Sequence, residues 1–152
     1  MTEIITPLCV ATIRGHELRF YRTPNKDGRP DLPWHSVDDL CRALGLNREL
    51  RRRMKSYFYE GPFEASFRTI KTADGLVVIA PHYAAQGFIG AMKECIGDVD
   101  DIDREYGHAS AGALQKIADE LKREGLRFED GSLLQWMGKA IHRHEGTGPS
   151  ND

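Results

Sequence analysis

A chain of 152 residues with 40% hydrophobic and 29% charged side chains has the composition of one folded domain, with room for a small appendage. That balance excludes an intrinsically disordered chain, and no apolar run approaches the roughly 18 residues that a bilayer span needs. The net charge of −2 excludes a uniformly basic nucleic-acid coat but conceals an asymmetry along the chain.

From Arg42 to Lys55 six basic residues (Arg42, Arg48, Arg51, Arg52, Arg53, Lys55) meet one acid, Glu49. From Glu94 to Glu105 six acids (Glu94, Asp98, Asp100, Asp101, Asp103, Glu105) meet Arg104 alone. Cys9, Cys41 and Cys95 are odd in number, widely spaced and set in apolar patterns, which points to buried thiols in a reducing cytoplasm. The first residues lack the basic and apolar regions of a signal peptide, so a cytoplasmic location is expected.

Residues 4–22 read as a β-hairpin: Ile4–Ile13 is rich in β-branched and apolar types, Arg14-Gly15-His16 offers a turn, and Leu18–Arg22 resumes a strand. Thr23–Pro33 is dense in Pro, Asn, Asp and Gly, which marks an exposed loop. Ser36 is placed to cap a helix with Asp39 three residues on, an approximate capping box. Val37, Leu40, Cys41 and Leu44 then fall at helical spacing on one buried face. Gly45 stops that helix, Leu46 fills the corner, and Asn47 caps the next one.

In this second helix Leu50, Met54, Tyr57 and Phe58 form a packing stripe. Arg48, Arg51, Arg52 and Lys55 form a basic stripe on the opposite side. A surface helix normally interleaves Glu with its cations, whereas here like charges at i,i+4 cost a few tenths of a kcal/mol per pair. Such a face is expected to be held for an anionic partner. The helix, glycine turn and basic helix together give a helix-turn-helix-like signal, with phosphate contacts from Arg48, Arg51, Arg52, Arg53 and Lys55, and with Arg42 and Asn47 at its margin.

After Gly61-Pro62, Ala65–Lys71 and Leu76–Ala80 read as a second hairpin around an Asp74-Gly75 turn, its second strand apolar throughout and so buried on both sides. A helix from Pro81 to about Ile96 follows, rich in the small residues Ala84, Ala85, Gly87, Gly90 and Ala91 that would allow close approach. Gly97 to Gly107 reads as an acidic connector. Helices over Ser110–Glu124 and Ser132–His144 and a polar tail over 146–152 complete the chain.

The motifs of catalysis are missing. Asp98, Asp100 and Asp103 resemble the start of a calcium loop, but Asp103 stands where the sharp turn needs Gly and Ala109 where the last ligand should be Glu. His142 and His144 are two apart on a helix and point in different directions. His35 beside Ser36 has no orienting third group, and there is no P-loop, no G-x-G-x-x-G and no C-x-x-C. No enzymatic activity, metal or cofactor is expected.

The order of Arg14–Tyr21, Leu32–Asn47 and Thr69–Met92, including C-x-A-L-G-L at Cys41–Leu46, resembles the BRO-N/phage antirepressor N-terminal domain over about residues 10–96. It departs from that pattern in the Thr23–Pro33 insertion and in His35, which stands where the family more often has an aromatic. The resemblance implies a DNA-binding or repressor-antagonising module of phage or mobile-element origin, and it supplies no catalytic residues.

The expected architecture is α+β: two β-hairpins packed with a helix-turn-helix-like pair and a third helix over residues 1–96. An acidic linker over 97–109 and a helical extension over 110–145 follow, the latter offering a homodimer contact. The expected function is a non-enzymatic DNA-binding regulator of double-stranded DNA. The alternative is a protein-interaction inhibitor that grips an acidic surface of a repressor or host factor, and no membrane association is expected.

Overall fold

The computed structural model describes residues 3–26, 31–60, 66–97 and 99–125. Among them, strands and helices form an α+β fold around a five-stranded antiparallel sheet. Its elements are β1 (Cys9–Ile13), β2 (His16–Tyr21), β3 (Trp34–Ser36), α1 (Val37–Ala43), α2 (Arg48–Glu60), β4 (Arg68–Thr72), β5 (Gly75–Ala80), α3 (His82–Ile96) and α4 (Asp100–Arg123). The strand order is β1-β2-β3-β5-β4.

Both expected hairpins are present. β1 and β2 pair around Arg14-Gly15, where both residues take positive φ, and β4 and β5 pair around Ala73-Asp74. What joins them is β3, which the sequence reading did not anticipate. It pairs Tyr21 with Trp34 and Phe20 with His35 on one side, and His35 with Ala80 and Ser36 with Ile79 on the other. Two hairpins thereby become one sheet. Trp34 is fully buried and its indole N–H donates to Asp31 Oδ2 at 3.2 Å.

Because side chains alternate across a strand, the sheet has two apolar faces. Ile13, Leu18, Phe20 and Ala80 point to one face and share the main core with Leu40 and Cys41 of α1 and its C-cap Leu44, Ala85, Ile89 and Met92 of α3, and Ile102, Tyr106 and Ala113 of α4. Tyr21, Trp34, Ile70, Val77 and Ile79 form a smaller cluster on the other face, with Ile5 against it. The chain reaches Ile5 by leaving the line of β1. Leu8 N–H still donates to Phe20 O at 2.7 Å, but Ile5 N–H donates to Lys71 O at 2.8 Å, on the strand at the far edge of the sheet. The strand expected from Ile4 therefore begins only at Cys9. Pro7, with no N–H to offer a ladder, sits where the chain turns away.

Three further expectations are corrected. Of the run Leu76–Ala80, Val77, Ile79 and Ala80 are buried, but Leu76 beside the hairpin turn is 75% exposed. Among the described side chains of α3, Ala84, Ala85, Phe88, Ile89 and Met92 are buried, whereas Gly87, Gly90 and Ala91 face outward. A Cβ at Gly87 or Gly90 would meet nothing within 4 Å, so close approach does not explain those glycines.

The acidic connector is helix. α4 begins at Asp100, and Asp100, Asp101 and Asp103 occupy its first turn, where the positive end of the helix dipole favours carboxylates. Ile102, Tyr106, Ala113 and Ile117, with Ser110, are its buried stripe, so Val99, Ile102 and Tyr106, within the span expected as a linker, belong to the same core as the sheet. At the surface Glu105 accepts from the Arg14 N–H at 3.3 Å, and Arg22 grips Glu120 at two points, one of them Nε to Oε2 at 3.1 Å. The helix expected over 132–144, the tail and the Gly61-Pro62 break lie outside the described residues, as do the side chains of Met54, Tyr57 and Phe58.

Candidate nucleic-acid interface

The basic helix is positioned by α1, and α1 is fixed by one buried carboxylate. Ser36 Oγ accepts from the Asp39 N–H at 3.3 Å, which is half of the expected capping box. The reciprocal half is absent because Asp39 turns instead toward β2. Its carboxylate accepts from the Arg19 backbone N–H at 3.0 Å, Arg19 Nε at 2.8 Å and Arg19 Nη2 at 3.1 Å, and from Arg42 Nη1 at 3.4 Å. A paired fork of this kind is directional as well as strong, so it sets the angle of α1 on the sheet. Hydrogen bonding to Asp39 holds the Arg19 guanidinium above its ordinary value.

α1 ends in a Schellman motif. Leu46 N–H donates to Cys41 O at 3.2 Å and Gly45 N–H to Arg42 O at 2.9 Å, with Gly45 at φ 70° and Leu46 buried. Two residues later Asn47 Oδ1 accepts from the Leu50 N–H at 2.8 Å, which caps α2. Asn47, expected among the binding residues, thus has its side-chain oxygen engaged in holding the helix start.

The outward face of α2 is rotated from the expected one. Arg48, Glu49, Arg52 and Arg53 are exposed, while Leu50 packs against the core, and Arg51 and Lys55 are half-buried. On that flank Lys55 pairs with Asp38 in the first turn of α1, beside the half-buried Arg51. Arg42, Arg51 and Lys55 all lie near enough to Cys41 to favour its thiolate, yet burial dominates and pushes the thiol up to about 11.

Of the seven residues singled out, Arg48, Arg52 and Arg53 come together on the open face, with Glu49 pairing to Arg53 at 3.2 Å. Arg51 and Lys55 stand on the flank beside Arg42, whose charge is shared with Asp39. Among the described residues no carboxylate pairs with Arg48, Arg51 or Arg52, and Arg51 Nε is enclosed without a hydrogen-bond partner. The residues that sequence reasoning missed are Arg19, Asp38 and Asp39. Asp39 is legible in the sequence as a capping-box partner and both acids as complements to the helix dipole, but the adjacent Asp-Asp gives no sign that one carboxylate reaches a strand and the other a lysine.

Among the described residues no group of three or more His, Cys, Asp or Glu could hold a metal ion, and no helix is long and apolar enough to cross a membrane. No protein-family model, curated protein or solved structure matches this chain.

Proposed function

We propose that this chain is a non-enzymatic, cytoplasmic DNA-binding regulator of the phage or mobile-element antirepressor type, which docks on the phosphates of duplex DNA through α2. The observation that carries this reading is the pair Arg48 and Arg52. They lie one turn apart on the open face of a capped helix, with no carboxylate partner among the described residues. Arg53 and Arg51 extend the cationic surface to either side, and Lys55, Arg42 and Asn47 orient the helix that presents it. Arginine suits the task because its planar fork meets phosphate oxygens two at a time.

Fluorescence anisotropy with a random duplex at 50 and 200 mM salt tests the proposal. Four phosphate contacts would weaken binding about 100-fold between those concentrations. Arg48→Glu/Arg52→Glu would remove most of the binding, and Arg48→Ala/Arg52→Ala would lower the salt slope by about two. Binding that ignores salt, or that survives the charge reversal in a folded protein, refutes it.

A second reading is favoured by Glu49. Its carboxylate sits in the middle of the open face, where it repels a phosphate track but suits a protein surface of mixed sign. On that reading α2 grips an acidic patch of a repressor or host factor, and capture of the same protein partner before and after nuclease treatment would distinguish it.

A further inference from the structure

The main core contains a polar cluster that the proposed interface does not use. His35 on β3, His82 at the start of α3, and Tyr106 and Ser110 on α4 meet beneath the sheet. The Tyr106 ring stacks on His82 at 5.5 Å between centroids and meets His35 edge-on at 5.9 Å. His82 Nδ1 contacts both the Tyr106 hydroxyl at 3.3 Å and the Ser110 hydroxyl at 3.2 Å. His35 is 2% exposed, and its Nδ1 has no hydrogen-bond partner among the described residues. Three elements distant in sequence are thus pinned together by two imidazoles and a phenol.

This arrangement suits neutral histidines only. An imidazolium donates from both ring nitrogens and needs an acceptor at each, and Nδ1 of His35 has none. The two imidazoles are also close enough for the charge on one to oppose charge on the other. The titratable and charged groups facing the cluster from the packed elements are few. Tyr106, whose hydroxyl burial keeps protonated, offers no negative charge, and Asp103 of α4 favours a charged His82 without overcoming its burial. Farther along α4, Glu105 faces Arg14, Lys116 acts on Cys9 and Glu120 holds Arg22, and none of these reaches the histidines. Burial therefore dominates at both rings, and His35 is held at about 3.

We propose that His35, His82, Tyr106 and Ser110 form an acid-sensitive latch, in which protonation of the histidines releases α4 and the start of α3 from the sheet. The direction follows from which state takes the proton. Above about pH 6.5 both rings are neutral whether the latch is closed or open, and closure is fully favoured. As pH falls below that value the open state binds protons that the closed state refuses. Each such histidine then shifts the balance toward opening by about tenfold per pH unit, until the closed-state value is reached. The latch is a property of the fold and does not depend on what α2 binds.

The test is amide hydrogen exchange of the full chain, corrected for intrinsic rates, at pH 6.5 and pH 5. It is run alongside urea unfolding at the same two values. For the wild type, protection of the α4 amides around Ile102–Ile117 is expected to fall about tenfold or more, ahead of that in β2 and β5. In His35→Phe, which keeps a ring but removes the unpartnered nitrogen, the loss attributable to His35 is expected to disappear, leaving a smaller loss from His82. Should that variant not fold, His82→Asn carries the same comparison while leaving a hydrogen-bonding group for Tyr106 and Ser110. Equal pH responses in wild type and folded variant, or α4 and the sheet losing protection in step, would overturn the latch.

Discussion

Removing the Asp39 carboxylate is the sharpest test of how α1, and through it the basic helix, is held. In Asp39→Ala the Arg19 backbone N–H, its guanidinium and one nitrogen of Arg42 all lose the acceptor they share. The Asp39 side chain is only 4% exposed and that of Arg19 22%, so water replaces these bonds poorly. Breaking a buried ion pair from one side costs about 3–5 kcal/mol, and partial access to Arg19 discounts this to about 3. For a domain of this size that is a fall in melting temperature of about 10 °C. Urea unfolding at pH 7, followed by circular dichroism, reads the loss directly. A cycle with Arg19→Met isolates the pair, with an expected coupling of about 2 kcal/mol. A loss in Asp39→Ala below about 1 kcal/mol, or a coupling indistinguishable from zero, would refute the claim that this carboxylate sets the position of α1.

Gly45→Ala forces a Cβ into φ 70° at the turn between α1 and α2 and is expected to cost about 1–2 kcal/mol in the same assay, even though the space around it is open. Tyr106→Ala, which empties a fully buried ring site between sheet and helices, is expected to cost about 3–5 kcal/mol, read by thermal unfolding. Arg53→Ala breaks only an exposed pair with Glu49 and should change stability by less than about 0.5 kcal/mol. The buried Cys41 thiol, pushed up to about 11, should resist iodoacetamide at pH 8 in the native protein and react once urea unfolds it, as peptide mass mapping will show.

Much of the local structure was legible because single residues decide it. Ser36, Gly45 and Asn47 each perform the capping or turning role that their chemistry suggests, and the Arg14-Gly15 turn and the Ala73-Asp74 turn before Gly75 close the two hairpins. What escaped were features settled by distant partners. β3 is three residues long and shows no period, so only its neighbours Phe20, Tyr21, Ile79 and Ala80 make it a strand. The acids around Asp100 masked the four-residue spacing of Ile102, Tyr106 and Ser110, because solvent-facing charge and core-facing stripe share one helix. The same holds for α2. Periodicity shows a basic stripe, but not that its Arg51–Lys55 edge lies beside α1, where Lys55 pairs with Asp38.

The brevity of β3 has a consequence for how the chain folds. Each hairpin closes over a two-residue turn and can form within microseconds by itself. The ladder from β3 to β5, by contrast, pairs His35 with Ala80 and Ser36 with Ile79 across more than forty residues, and its loop-closure entropy must be met before its few hydrogen bonds form. That zipper is the expected rate-limiting event, with both hairpins formed and waiting. In stopped-flow experiments Trp34→Phe should therefore slow refolding while leaving unfolding nearly unchanged, whereas Leu18→Ala in the first hairpin's helical face should weaken both arms of the chevron. Three residues would then govern the speed at which the protein assembles.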